Sequence, residues 1–169
     1  LGAEIKGYAL EPQTQHDLFH LIKGKKLCQS VIADLRDRKK IESEIVAFQP
    51  DFIFHLAAQA IVSKSYINPI DTITTNVNGT MNILESLKNS NFPCVCILIT
   101  SDKCYDNVEW TWGYRENDRL GGPDPYSASK GAAEIAIRSY VKSYFSNNDN
   151  KVQIGIGRAG NVIGGGDWA

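Results

Sequence analysis

Tyr126 and Lys130 stand four residues apart in Pro125-Tyr126-Ser127-Ala128-Ser129-Lys130, a spacing that puts a phenol and an ammonium on one face of a helix. A cation beside a phenol favours the phenolate, so Lys130 is expected to lower the Tyr126 pKa towards neutrality. A phenol tuned in this way takes or gives a proton during hydride transfer. A bare Tyr-x-x-x-Lys also arises readily by chance, and its bland reading is an ordinary helix surface. Context comes from Thr100-Ser101-Asp102-Lys103, where a hydroxyl, a carboxyl and an amine follow directly on an apolar run. If the two segments share one site, the chemistry is redox chemistry on a sugar.

The elements that must position these residues are legible as alternating strands and helices. Short β-like runs are expected at Ile5 to Leu10, Ser30 to Ala33, Phe52 to Leu56, Cys94 to Thr100 and Val152 to Ile156. A brief helical stretch lies around Asp17 to Ile22. Ile41, Ile45 and Phe48 recur at helical spacing from about Asp37 and stop at Pro50. From Pro69 to about Leu87, the set Ile73, Val77, Met81, Leu84 and Leu87 marks the inner face of a long helix. The helix of Tyr126 continues inward through Ala133, Ile137, Tyr140, Val141 and Tyr144. Continuous apolar runs such as Val95-Cys96-Ile97-Leu98-Ile99 suit strands covered on both faces, so the expected fold is α/β, a doubly wound parallel Rossmann-like sheet. Ligands of such sheets sit at the carboxyl ends of strands, which here carry Asp34-Leu35, Ala57-Ala58-Gln59, Ser101-Asp102-Lys103 and Arg158-Ala159-Gly160-Asn161.

No Gly-x-Gly-x-x-Gly turn occurs near the start, and Gly164-Gly165-Gly166 follows the last strand without opening a helix. That triplet reads as a flexible turn where backbone approaches something closely. The chain opens at Leu1 on what looks like the second strand of such a sheet. Residues 1–169 are therefore expected to be a fragment of a dinucleotide-binding domain, without its first strand, glycine-rich turn and C-terminal substrate lobe. A net charge of −1 over 169 residues gives no field for nucleic acid or acidic membranes. No apolar run is long enough to span a membrane, and no signal-type segment opens the chain, so a cytoplasmic protein is expected. The four cysteines lack any Cys-x-x-Cys and read as reduced, buried side chains. His16 and His20 lack a third ligand, so no metal site is assigned.

The blocks His55-Leu56-Ala57-Ala58-Gln59, Thr75-Asn76-Val77-Asn78-Gly79-Thr80 and Thr100-Ser101-Asp102-Lys103-Cys104-Tyr105 resemble the extended short-chain dehydrogenase/reductase family. Trp112-Gly113-Tyr114-Arg115-Glu116-Asn117-Asp118, Asp124 to Glu134 and Arg158 to Trp168 extend the resemblance to its CDP-glucose 4,6-dehydratase branch. The resemblance implies an NAD-dependent lyase that oxidises carbon 4 of a nucleotide sugar, loses water across carbons 5 and 6, and returns the hydride to carbon 6. It implies Tyr126 as base at the 4-hydroxyl, Lys130 as its partner and ribose ligand, Ser101 at the 4-oxygen, and Asp102 as acid at the 6-hydroxyl. That role requires a raised Asp102 pKa, expected from partial burial beside the sugar. Related dTDP-glucose dehydratases have a glutamate where this chain has Lys103. Lys103 is then a neutral base at carbon 5, made so by desolvation and neighbouring cations, or a cation stabilising the enolate. Asp34 and Leu35 match positions lining the adenine, and Ala57, Ala58, Gln59 and Thr75 match positions near the ribose and nicotinamide. Asn161 matches a substrate contact, and Arg158 either shares that role or ties down its loop. NAD is what the family resemblance implies, whereas the residues leave NAD and NADP open, since Glu11 stands one place late, ahead of Pro12, for the usual discriminating acid. A homo-oligomer is expected of the full-length protein.

Two other readings use the same residues. A nucleotide-sugar 4-epimerase, or a dehydratase for another nucleotide, needs Tyr126 and Lys130, but the epimerase has no use for Asp102 and Lys103 as acid and base. A redox-inactive NAD-binding protein would keep the fold alone.

Overall fold

The computed structural model describes residues 2–147 and 149–165. Its strands are β1 (Lys6–Ala9), β2 (Gln29–Ile32), β3 (Phe52–His55), β4 (Cys94–Ser101) and β5 (Val152–Ala159). All paired strands are parallel, as the intervening helices demand. They form two sheets rather than the single sheet expected: β1 pairs with β2, and β3-β4-β5 form a second sheet in that order. β1 and β3 are therefore each hydrogen-bonded on one side within the described residues. β4 is the central strand, paired with β3 from Phe52↔Val95 to His55↔Leu98 and with β5 along its whole length. Cys94, Cys96 and Leu98 on it are buried, which accounts for its apolar run.

Six α-helices accompany the strands among the described residues: α1 (Leu18–Leu21), α2 (Arg38–Phe48), α3 (Val62–Ile67), α4 (Pro69–Ile73), α5 (Gly79–Lys88) and α6 (Pro125–Tyr140). The Asp37 carboxylate caps α2 by accepting from Lys40 N at 3.1 Å, and Gln49, at φ 48°, ends it ahead of Pro50. Pro125 opens α6 behind its cap Asp124, whose Oδ1 accepts from Ser127 N at 3.0 Å. Ile41, Ile83, Leu84, Leu87 and Ile137 join the β4 side chains in one core.

The long helix expected from Pro69 to Leu87 is interrupted by a π-helical turn, Thr74–Asn78, between α4 and α5. It alters which face is inside. Ile73 is exposed and Val77 half-buried, whereas Thr72, Asn76 and Thr80 are buried. These polar residues occupy inner positions because each has a specific hydrogen-bond partner there, which apolar periodicity does not reveal. A second π-helical turn, Val141–Phe145, follows α6. A wider turn shifts the inward position by about one residue: Phe145 is buried, while Tyr144, expected on that face, is exposed. α3 has no counterpart among the sequence-based expectations.

Candidate active site

Parallel strands bring the carboxyl ends of β3, β4 and β5 to one edge, where the segments singled out in the sequence meet. Ser101 ends β4 with its side chain buried, and its hydroxyl accepts from Lys103 N at 3.2 Å while donating to Asp102 Oδ1 at 3.0 Å. These bonds close a 3-10 turn, Asp102–Cys104, directly beyond the strand. α6 lies against that turn. A side chain at Gly131 would meet the Cys104 carbonyl at 3.3 Å, so the glycine beside Lys130 permits the close approach. Gly122 has the same function against the backbone of Ser127, where an added Cβ would clash.

Tyr126 and Lys130 are both buried, at 8% and 7% exposure, with Lys130 Nζ 5.8 Å from the phenol ring centroid. Burial raises the Tyr126 pKa, the Ser101 hydroxyl pulls it down, and the carboxylates of Asp102 and Asp124 push it up again. The net direction is upward, opposite to the lowering expected from Lys130, and burial is the largest cause. Burial also lowers the Lys130 pKa. Asp102 and Lys103 are exposed, so the partial burial expected to tune Asp102 is not provided by the described residues. A Cβ on Gly160 would lie 4.0 Å from Asp102 Oδ2, which brings the loop after β5 over the turn. Asn161 follows in that loop with its side chain exposed. Gly166, Asp167 and Trp168 lie outside the described residues. Among the described residues, nothing lies within 4 Å of a Cβ added at Gly164 or Gly165.

Two buried polar residues, Asn76 and His55, were missed as site components. Asn76, in the first π-helical turn, accepts from Gln59 N at 2.8 Å and donates to Gln59 O at 3.1 Å and Ser129 Oγ at 2.8 Å. It therefore joins the Ala57-Ala58-Gln59 segment to the helix of Tyr126 and Lys130. The π-helical turn, often found at functional sites, is where Thr75 also sits, half-buried. His55, at the end of β3, contacts Thr80 Oγ1 at 2.9 Å. The Thr80 proton goes to Asn76 O at 2.7 Å, so His55 donates from Nε2. Burial, then the Lys130 charge, lowers its pKa to about 4.

The positions matched to the adenine end divide differently. Asp34 is partly exposed and forks with Arg36 at 2.6 Å, while Arg36 also reaches Asp71. Leu35 turns its side chain into the core, and a Cβ at Gly79 would sit 2.5 Å from it. The Leu35 side chain, expected at the adenine, is thus taken up by the core. Among the cysteines, Cys94, Cys96 and Cys104 are buried free thiols, and burial raises their pKa values to about 11, 12 and 11. No cluster of three metal-ligating side chains occurs among the described residues. No helix among them is long and apolar enough to cross a membrane.

A serine, a tyrosine and a lysine gather at the carboxyl edge of parallel strands in a Rossmann-like α/β protein, the edge at which such sheets bind their ligands. The chain belongs to the GDP-mannose 4,6 dehydratase family, whose model matches residues 9–150. It is 50% identical to CDP-glucose 4,6-dehydratase of Salmonella typhimurium over 173 aligned positions, covering all of this chain and 48% of that protein. The chain thus spans about half the length of this curated relative. The dTDP-glucose 4,6-dehydratase DesIV of Streptomyces venezuelae, solved with NAD bound, is 25% identical with a TM-score of 0.65, over 76% of this chain and 38% of DesIV. A UDP-Glc/GlcNAc 4-epimerase of Campylobacter jejuni shares the fold with a TM-score of 0.73 at 21% identity, over 91% of this chain and 45% of the other.

Proposed function

We propose that the protein containing this chain is an NAD-dependent CDP-glucose 4,6-dehydratase. The observation that carries this reading is the contact between the Ser101-Asp102-Lys103 turn and the Tyr126–Lys130 face of α6, in a chain half identical to such an enzyme. The epimerase reading accounts for Tyr126 and Lys130 but gives the acid and amine of that turn no work.

The residues present fit the nucleotide cofactor. Ala57 and Ala58 leave the end of β3 uncrowded, and Lys130 offers a buried ammonium for ribose hydroxyls. NAD, when bound, accepts a hydride and returns it. Tyr126 takes the proton of the sugar 4-hydroxyl as hydride leaves carbon 4, and Ser101 holds the 4-oxygen. The 4-ketone acidifies the carbon 5 proton, and Asp102 protonates the departing 6-hydroxyl. Lys103 acts at carbon 5 as neutral base or as cation. Replacement by arginine separates these, since arginine keeps the charge but cannot serve as a base. Product formation lost in K103R assigns the base; activity within about tenfold of wild type assigns the cation.

Residues 1–169 are read as part of the dinucleotide-binding domain, supported by the parallel sheets and by coverage of 48% of the Salmonella enzyme. The unpaired edges of β1 and β3 suit a further parallel strand between them. A homo-oligomer is supported by the exposed Ile67, Ile70 and Ile135 on α3, α4 and α6. A cytoplasmic enzyme serving polysaccharide biosynthesis fits free thiols and a nucleotide-sugar substrate. The test incubates full-length enzyme with CDP-glucose and follows the 4-keto-6-deoxy product by its absorbance in base. No product from an NAD-loaded enzyme overturns the reading, and a D102N variant of undiminished turnover with a nucleotide sugar would favour the epimerase.

A further inference from the structure

Glu134 is fully buried, one helical turn beyond Lys130 and two beyond Tyr126 on the same face of α6. Its Oε1 accepts from Thr100 Oγ1 at 2.6 Å and from Arg158 Nε at 3.0 Å, and its Oε2 accepts from Arg158 Nη2 at 2.9 Å. Arg158 stands opposite Thr100 in the β4–β5 register, and its Nη1 continues outward to donate to Tyr105 Oη at 2.7 Å. The guanidinium lies over the Tyr105 ring at 4.6 Å, and that ring stacks on Tyr114 at 4.9 Å. Arg158 Nη1 and Arg138 Nη2 both donate to the Glu116 carbonyl, at 3.2 and 2.7 Å.

Thr100 and Tyr105 are the residues immediately before and after Ser101-Asp102-Lys103-Cys104. Both ends of the turn that carries the acid and the amine are thus tied to a single ion pair, and that pair is anchored on the helix of Tyr126 and Lys130. A buried ion pair contributes little net stability compared with apolar packing, so stability alone explains its presence poorly. Holding two catalytic groups in register is a function such a rigid bidentate pair performs well. We propose that Glu134 and Arg158 are positioning residues for water elimination, setting Asp102 and Lys103 relative to Tyr126 through Thr100 and Tyr105. The inference rests on the dehydratase reading and assigns the pair to elimination rather than to oxidation at carbon 4.

The two halves of the reaction make the test. If elimination slows while oxidation continues, hydride leaves carbon 4 but is not returned to carbon 6, and reduced nicotinamide accumulates during turnover. In full-length enzyme, T100V and Y105F each remove one tie and leave the ion pair intact. Each is expected to lower kcat for the 4-keto-6-deoxy product about 10- to 100-fold, with KM nearly unchanged and a larger steady-state fraction of reduced nicotinamide. E134Q strands a buried guanidinium and is expected to melt earlier, so the two milder variants carry the test. The wild-type rate with CDP-glucose reports on the dehydratase reading alone, whereas the ratio of product formed to reduced cofactor in the variants reports on positioning. Folded T100V and Y105F enzymes with wild-type kcat, or with kcat lowered and no rise in reduced nicotinamide, would overturn the proposal.

Discussion

The two sheets differ in how firmly they are built. In the β3-β4-β5 sheet, β4 is paired on both sides, and its inward side chains pack against Leu84, Leu87 and Ile137. In the β1-β2 sheet no strand residue is fully buried, and Ile32 and, just ahead of β2, Leu27 are exposed. Tyr8 packs against the core cluster, and the other ties to the rest are polar: Lys6 with Glu44 at 2.9 Å and, from the segment after β2, Arg36 with Asp71. Groups that do chemistry must be held to within a fraction of an ångström, and they sit on the better-packed sheet. Within the described residues, the β1-β2 sheet is the lighter of the two frames.

The comparison breaks first at the chemistry. Y126F in full-length enzyme removes the proton acceptor and should lower product formation about 10²- to 10⁴-fold, with thermal unfolding unchanged; retained activity would detach the packed sheet from the site. In equilibrium unfolding, L84A should cost about 2–5 kcal/mol, whereas I32A on the lighter sheet should stay within about 0.5 kcal/mol. Equal losses would erase the distinction between the sheets.

A pH measurement sharpens the contrast further. His55 is neutral in the fold, with its pKa lowered from 6.5 to about 4. Between those values the unfolded chain binds more protons than the folded one, so the His55 contribution is whole above about pH 6.5 and is lost as pH falls towards 4. That loss should amount to about 3 kcal/mol, read as the difference in pH dependence of urea unfolding between wild type and H55Q. Parallel curves for the two would mean that His55 is not held neutral. The smallest effect belongs to the exposed pair on the lighter sheet: R36A should change stability by less than about 1 kcal/mol and become indistinguishable from wild type in high salt.

The strands and most helices were legible because each is a local pattern. Ile41 and Ile45 on α2, and Cys94, Cys96 and Leu98 on β4, lie on the inner faces that their spacing predicts. Ile73 and Tyr144 do not, because a π-helical turn precedes or follows the regular helix and rotates the face away from a 3.6-residue register. Ser101, Tyr126 and Lys130 converge as their motifs imply. The Tyr126 pKa goes the other way, because burial and the charges of Asp102 and Asp124 depend on packing rather than spacing. Asn76 and Glu134 were overlooked as site components since a lone amide or acid within a helix carries no sign of what it meets.

By itself, the sequence determined the alternation of strands and helices, the α/β class, the shared helical face of Tyr126 and Lys130, and the placement of Ser101-Asp102-Lys103 at a strand end. These are near-neighbour properties, set by backbone geometry within a few residues. Only the tertiary structure decided that Asn76 bonds Ser129, 53 residues away, that His55 meets Thr80, 25 residues on, and that Glu134 pairs with Arg158 across 24 residues. A buried polar group must find its partner wherever the packed chain brings one within about 3 Å. That choice is made by the fold as a whole and leaves no periodic mark along the chain.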